Sequence, residues 1–195
     1  IRVNCALGIF HGKNEYLDYV NVHSSFDHVL YYPQDEWDPE KIQLRSEGIK
    51  SVCVGLSKSP NVEKLNRLLK NLSSFPNLDR VVVRVHPNTF APSFISKIFT
   101  NEKVYLSSQT PLEKDLEETD LLIGGNSNIH LNFLEKNKPS IFVPELNFDT
   151  SAPFSFLREG LILSKNVEDI ELNVKEINHF YARPEWKKEI VNYLS

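Results

Sequence analysis

The sequence predicts an α/β fold with a doubly wound, mainly parallel sheet, and two patterns support this prediction. Short apolar runs rich in β-branched residues recur along the chain, as expected for strands buried on both faces. Segments with helical spacing of apolar residues separate these runs, so right-handed βαβ crossovers are expected. The predicted strands cover residues 52–54, 81–85, 104–106, 121–123, 141–143 and 161–163.

Helices are predicted between the strands from the spacing of apolar residues and from start signals. Ser59 and Pro60 are interpreted as the cap and first turn of a helix over residues 62–72, whose leucines fall on one face. Thr110 and Glu113 form a capping-box pair around a proline and predict the start of another helix. Further helices are predicted over residues 94–99, 167–177 and 186–194, and one that ends at Lys136 follows the fourth strand.

The six strands assign residues 49–195 to one Rossmann-like nucleotide-binding domain. Residues 1–48 show two more strand-like runs and a helical pattern over residues 39–47. We interpret them either as the end of an N-terminal α/β domain or as an extension of the same sheet. The chain contains no methionine, not even an initiator, so the sequence is expected to be an excerpt of a longer protein.

Composition narrows the classes of function. The formal net charge is −4 and basic residues are not clustered, so nucleic acid is not expected as a partner. No apolar run approaches the roughly 20 residues that a membrane-spanning helix needs. Cys5 and Cys53 lie in apolar strand-like runs, which predicts buried thiols rather than a disulfide. A cytoplasmic location is predicted, with attachment to the inner membrane only through other parts of a longer chain.

A turn of small residues follows the strand at residues 121–123. Gly124 and Gly125 would let the backbone approach a ligand closely. Asn126, Ser127 and Asn128 come next, and Asn126 and Ser127 can cap the following helix, whose positive end attracts an anion. The alternative is that the two glycines only form a tight turn between strand and helix.

A second polar loop follows the strand at residues 81–85. His86 and Asn88 emerge there, and a histidine can donate to a phosphate or ribose oxygen or hold charge on a leaving group. Arg84 is a charge in an apolar strand, so it needs an acidic side chain or a ligand phosphate as partner. Because the carboxyl ends of parallel strands share one edge, this loop is expected to meet the glycine turn.

Two more loops are assigned to the same edge. Ser57 and Lys58 follow the first strand of this domain, and Glu145 follows the fifth and is expected to bind ribose hydroxyls or a base amine. The P-loop and GxGxxG patterns are absent, so ATPase chemistry is not predicted. The spacing of the remaining histidines is not typical of metal ligands, so structural or surface roles are expected for His23, His28, His130 and His179.

The segment DLLIGGNSNIHLNFLEKNKPSIFVP, together with VVVRVHPN before it, resembles the nucleotide-binding half of GT-B glycosyltransferases. It looks most like the CDP-glycerol glycerophosphotransferases and their relatives, the bacterial sialyltransferases and capsule Kdo transferases. In that group a histidine before proline and a serine-rich turn hold the phosphates and ribose of the nucleotide, which implies these roles for His86 and Ser127. Near the start of the chain, GIFHG resembles the His-Gly element of the family and implies His11 as the general base.

The sequence departs from the glycerophosphotransferases where they carry acidic residues, because Asn128 and Asn132 stand in the corresponding region. This loss of carboxylates favours a sugar-transferring relative. The resemblance therefore implies metal-independent transfer of a sugar from a CMP-, CDP- or UDP-activated donor, without a cofactor, to a carbohydrate or lipid-linked acceptor in bacterial surface polysaccharide synthesis. Two alternatives stay open, namely a non-catalytic nucleotide-sugar-binding or partner module of the same fold and a sugar-nucleotide epimerase.

Overall fold

The structure is a computed structural model that describes residues 3–10, 17, 24–31, 38–86, 92–107, 110–148 and 154–194. Its strands are β1 (Val3–Phe10), β2 (Ser24–Tyr31), β3 (Ser51–Gly55), β4 (Arg80–Arg84), β5 (Val104–Ser107), β6 (Leu121–Gly124), β7 (Ser140–Phe142) and β8 (Leu163–Ser164). Its longer helices are α1 (Val62–Ser74), α2 (Pro92–Ile95), α3 (Leu112–Glu118), α4 (Ile129–Glu135), α5 (Ser155–Arg158), α6 (Val174–Tyr181) and α7 (Pro184–Leu194). Three 3₁₀ turns cover Pro39–Lys41, Pro144–Leu146 and Val167–Asp169.

Strands β3 to β8 form one parallel sheet in the order β5-β4-β3-β6-β7-β8. The chain first builds outward from β3 to β5, then returns beside β3 with β6 and continues to β8. This order places a topological switch point between β3 and β6, where loops after the two strands diverge to opposite sides and leave a crevice. The doubly wound, parallel α/β fold predicted from the sequence is therefore confirmed.

The central strands are buried because helices cover both faces of the sheet. Val52, Val54 and Val83 have no exposed surface, and neither do the apolar residues of β6. Helix α1 packs its predicted leucine stripe against this sheet, with Leu65, Leu68, Leu69 and Leu72 fully buried. The hydrophobic core thus fixes the strand ends from which the candidate site is built.

Strands β1 and β2 pair with each other in parallel and form a separate two-stranded sheet. The assignment of residues 1–48 to a preceding domain stays a prediction. The helix predicted over residues 39–47 is wrong, because the chain forms only the 3₁₀ turn Pro39–Lys41 and then runs on without helix. The side chain of Asn178 holds the chain in this path. Its amide oxygen accepts from the Leu44 N–H at 2.7 Å, and its amide nitrogen donates to the Leu44 carbonyl at 3.0 Å.

Two predicted helix starts differ from the structure. The N-cap of α1 is Asn61, whose side chain accepts from the Lys64 N–H at 3.2 Å, while Ser59 and Pro60 pair with the chain around Asn147. Helix α3 begins at Leu112, one residue after the predicted first helical position Pro111, and no side-chain cap bond forms there. Its other end is held by Lys138, whose ammonium group donates to three backbone carbonyls in and after the last turn, those of Leu116, Glu117 and Thr119.

The C-terminal part of the chain differs most from the prediction. Residues 167–177 form a 3₁₀ turn followed by the start of α6, which Asn173 caps by accepting from two backbone N–H groups. The last strand is shifted to Leu163–Ser164, and the predicted strand residue Leu161 instead accepts a bond from the Trp186 indole at 2.7 Å. Tertiary contacts therefore override the local apolar spacing in this region.

Candidate functional site

A cleft of about 230 Å³ opens beyond the carboxyl ends of the central strands. Leu56 enters it just after β3, Arg84 and His86 enter it at the end of β4, and Ser127 enters it after β6. The cleft therefore lies at the topological switch point, where parallel α/β sheets bind ligands. The structure brings together the histidine loop and the glycine turn that the sequence assigned to one edge of the sheet.

The remaining cleft lining comes from the two helices beside these loops. Leu112 and Ile129 contribute apolar surface from the first turns of α3 and α4, and Asn132 contributes a carboxamide from one turn further along α4. The cleft thus combines apolar walls with a few polar groups, as small-molecule sites commonly do.

Arg84 has an acidic protein partner at the base of the cleft. Its Nη1 donates to Asp115 Oδ2 at 2.6 Å and to the Thr110 carbonyl at 3.0 Å. The Asp115 side chain is only 3% exposed, and it also accepts from the Ser107 hydroxyl at 2.6 Å. Arg84 was expected to pair with an acidic side chain or with a ligand phosphate, and in the structure its partner is the acidic side chain of Asp115. Both bonds use Nη1.

His86 is half-buried at the edge of the cleft. Burial lowers the pKa of its imidazole, and the positive charge of Lys58 acts in the same direction. Lys58 is exposed and does not itself line the cleft. Two side chains that can bind an anion, His86 and Lys58, therefore lie near each other.

The two glycines of the turn are required by neighbouring side chains of the protein. A Cβ at Gly124 would lie 3.0 Å from His130 Cε1, and a Cβ at Gly125 would lie 2.5 Å from Asn147 Nδ2. Neither glycine is among those with a positive φ. Buried groups of the protein thus approach the backbone closely at both glycines, and close approach of a ligand at Gly124 and Gly125 stays a prediction.

His130 holds this turn from below and is fully buried. Its Nε2 lies 2.8 Å from the Gly125 carbonyl, which can only accept, so Nε2 carries the proton and Nδ1 accepts from the Ser140 hydroxyl at 2.5 Å. Burial lowers the pKa of His130 to about 4, although the bond to the Gly125 carbonyl acts in the opposite direction. The structural role expected for His130 is confirmed by these contacts.

The buried neutral His130 makes stability depend on pH. The unfolded chain takes up a proton near pH 6.5 while the folded chain does not, so the stabilising contribution is complete above pH 6.5 and decreases as the pH falls to about 4. The free energy of unfolding should fall by up to about 1.4 kcal/mol per pH unit in this window from this group. Chemical denaturation at several pH values measures the slope.

The matched control for this prediction is the exposed His179. His179→Gln should keep the wild-type slope, whereas His130→Gln should flatten it between pH 6.5 and 4. If His130→Gln does not fold, the imidazole proton signal of wild-type His130 gives the same information. A signal that titrates near pH 6.5 would contradict the buried neutral state.

The side chains of Ser57 and Glu145 are bonded to other groups of the protein. The Ser57 hydroxyl donates to Asn147 Oδ1, and both side chains are buried. Glu145 accepts from Lys64 Nζ at 2.5 Å and from the Val167 N–H at 2.6 Å. Its carboxylate therefore joins α1 to the 3₁₀ turn Val167–Asp169. Neither residue lines the cleft, and the predicted ribose contact of Glu145 is not supported by its position.

The polar residues of the glycine turn have different surroundings. The N-cap position of α4 is Asn128 and no side-chain cap bond forms there, so capping by Asn126 is wrong. Ser127 faces the cleft, and its hydroxyl accepts from the Ile129 N–H at 3.3 Å. Ser127 is therefore the member of this turn that the structure places in contact with the cleft.

Two predicted site residues, His11 and Asn88, lie outside the described residues. Asp115 was not among the predicted site residues. It lies on the same face of α3 as the apolar Leu112, and an acid on a buried helix face predicts a charged partner. Asn132 was noted only as a departure from a family pattern.

Within the described ranges, no three side chains of His, Cys, Asp or Glu are arranged to hold a metal ion. The helices described here are all too short or too polar to cross a bilayer.

The sequence matches no protein-family model and no curated protein. Among solved structures, the chain is similar to the glycosyltransferase SnogD from Streptomyces nogalater, with 13% identity, coverage of 85% of this chain and 42% of that chain, and a TM-score of 0.47. KpsC from Thermosulfurimonas dismutans, a beta Kdo 2,4 transferase, shows 13% identity, coverage of 84% and 55%, and a TM-score of 0.41.

A putative MAR1 ribonuclease from Leishmania major is also similar, with 17% identity, coverage of 77% of this chain and 93% of that chain, and a TM-score of 0.47. The chain spans less than two thirds of either transferase. Similarities this distant, to transferases and to a ribonuclease, do not assign a reaction to the chain.

Proposed function

We propose that this chain is the nucleotide-binding part of a glycosyltransferase of the GT-B type and that its donor binds in the cleft at the switch point. The observation that carries the proposal is that His86 and Ser127 line one cleft at the carboxyl edge of the sheet. The family resemblance implies that these two residues bind the phosphates and ribose of a nucleotide. The proposed donor is a sugar activated by CMP, CDP or UDP.

The charges around the cleft support binding of an anion. Arg84 and His86 line the cleft, and Lys58 is close enough to lower the pKa of His86. The negative charge of Asp115 is offset by Arg84 within a buried pair. Among the residues that the structure describes, the cleft lining contains no carboxylate. A phosphate would therefore enter without repulsion from an acid in the lining.

The proposed roles follow from these positions. His86 and Arg84 stabilise the negative charge that develops on the departing nucleotide, and Ser127 binds a phosphate oxygen. The acceptor hydroxyl is deprotonated by a base on the other side of the cleft, for which His11 is the candidate from sequence. Transfer to a carbohydrate or lipid-linked acceptor in surface polysaccharide synthesis, without a metal or cofactor, is part of the same proposal.

A second candidate is a binding module of the same fold without catalysis. The specific observation in its favour is that Glu145, an acid at the carboxyl edge, is engaged by Lys64 and the Val167 N–H. A sugar-nucleotide epimerase needs acidic groups in the cleft for proton abstraction, and the described lining does not offer them. Turnover of a bound sugar nucleotide separates transferase from binding module.

Thermal unfolding with a panel of CMP, CDP, UDP and their sugars tests the proposal. A ligand present at about 100 times its Kd adds about 2.7 kcal/mol of stability, which corresponds to an increase in Tm of roughly 5 to 10 °C for a chain of this size. His86→Ala should weaken binding about 10-fold because it removes a polar contact to the phosphate. The exposed and unrelated His179→Ala should bind as the wild type does.

The panel has three possible outcomes for the proposed site. A Tm increase with at least one nucleotide, lost in His86→Ala, supports the proposed site. No increase with any member of the panel would contradict nucleotide binding. An equal increase in wild type and His86→Ala would place the ligand elsewhere on the molecule.

A further inference from the structure

Asn132 presents to the cleft a carboxamide that has no hydrogen-bond partner among the described residues. It lies on α4 and is partly exposed, and its side chain makes no hydrogen bond within the described part of the chain. The other polar groups of the lining differ, since Arg84 is bonded to Asp115 and the Ser127 hydroxyl accepts from a backbone N–H. A carboxamide provides both donors and an acceptor. Asn132 is therefore free to bind a ligand group that does the same.

The two sides of the cleft differ in the polar groups that they present. On the β4 side stand Arg84 and His86, with Lys58 close by. On the α4 side stand Ser127, Ile129 and Asn132, which carry no charge. A ligand with a phosphate at one end and a neutral polar group at the other fits this arrangement in one orientation.

The size of the cleft limits how much of a ligand it holds. Its volume of about 230 Å³ lies below the 300–1,000 Å³ that is common for pockets enclosing a whole small molecule. The described lining thus accommodates a phosphate and the group attached to it, and the rest of a sugar nucleotide would extend beyond it. Asn132 lines the same cleft as Arg84 and His86, so it can contact that attached group.

We propose that Asn132 is a specificity-determining residue whose carboxamide binds a neutral hydrogen-bonding group next to the phosphate of the ligand. This inference rests on the proposed function, because it takes the cleft to be the nucleotide site. The group that Asn132 binds both donates and accepts hydrogen bonds. Either a ribose hydroxyl or the edge of a pyrimidine base can be this group. Asn132 then selects phosphorylated nucleosides over bare phosphates.

Calorimetric titration with three probes tests this inference. The probes are inorganic pyrophosphate, ribose 5-phosphate and CMP, which add first the hydroxyls and then the base. Asn132→Leu keeps the side chain similar in size and removes its hydrogen bonds, so it should weaken CMP binding about 3- to 10-fold and leave pyrophosphate binding unchanged. An equal loss for ribose 5-phosphate identifies a hydroxyl as the bound group, and a loss for CMP alone identifies the base.

Two further variants complete the experiment. Asn132→Asp introduces a negative charge and should weaken all three probes, and His86→Ala should also weaken all three. If Asn132→Leu binds CMP as the wild type does while His86→Ala does not, the role of Asn132 is overturned and the cleft remains the site. An equal loss of CMP and pyrophosphate in Asn132→Leu also overturns the role. If wild type binds none of the probes, the proposed function itself is contradicted.

Discussion

Replacement of Asp115 by alanine should lower the free energy of unfolding by about 3 to 5 kcal/mol. The side chain of Asp115 is 3% exposed and that of Arg84 is 21% exposed, so the variant leaves a guanidinium in a largely buried position without its acid. The Ser107 hydroxyl loses its acceptor in the same variant. Removing one partner of a buried ion pair is costly because the remaining charge stays desolvated.

Urea denaturation of the variants measures this effect. The ion pair between Arg80 and Glu118 is the matched control, since it also joins β4 to α3 and has a 2.6 Å contact but is more exposed. Glu118→Ala should therefore lose much less stability than Asp115→Ala. Asp115→Asn should fall between the two, because it keeps an acceptor for Ser107 and loses the charge. Equal losses for Asp115→Ala and Glu118→Ala would contradict the buried pair.

Gly125→Ala should lower the free energy of unfolding by about 3 kcal/mol, near the upper end of the usual range for overpacking. The new Cβ would lie 2.5 Å from Asn147 Nδ2, closer than nonbonded atoms approach. Asn147 is 4% exposed and is held by Ser57 and by the Pro144 carbonyl, so it has little room to move. The positive-φ glycines Gly48 and Gly160 have no such neighbour, so this effect is steric.

A double-mutant cycle with Asn147→Ala tests the steric cause. Asn147→Ala removes the side chain that the new methyl group meets, so the double variant should lose less stability than the sum of the two single variants. Chemical denaturation of the four proteins supplies the comparison. Additive losses would show that Asn147 is not the obstacle at Gly125.

The sheet could be predicted because its strands are marked by their own residues. Runs such as Val81–Val83 are apolar and β-branched throughout, a pattern that indicates burial on both faces. The error in the helix predicted over residues 167–177 could not be seen from the sequence, because the apolar spacing there is compatible with a helix. The structure shows where this segment is interrupted, because Val167–Asp169 forms a 3₁₀ turn and a new helix begins only after Asn173, whose side chain accepts from the Lys175 and Glu176 N–H groups.

The candidate site was partly predictable for a similar reason. His86 and Ser127 could be assigned to one edge because both follow strands of a parallel sheet, and that rule needs only the common direction of the strands. The local sequence does not reveal that Ser57 bonds to Asn147, or that Gly125 lacks a side chain because Asn147 fills the space. Contacts between distant segments decide which polar residues at the edge are available to a ligand.

The most direct test of the central claim is a residue-resolved NMR titration with the sugar nucleotide or nucleotide that gives the largest Tm increase. The claim predicts that backbone amide shifts concentrate at Leu56, His86, Ser127 and Asn132, around the switch point. A second cleft at the other end of the sheet, which Phe75 and Leu172 help to line, should show none. Shifts confined to this second cleft, or spread over the surface without a centre at His86 and Ser127, would contradict the claim.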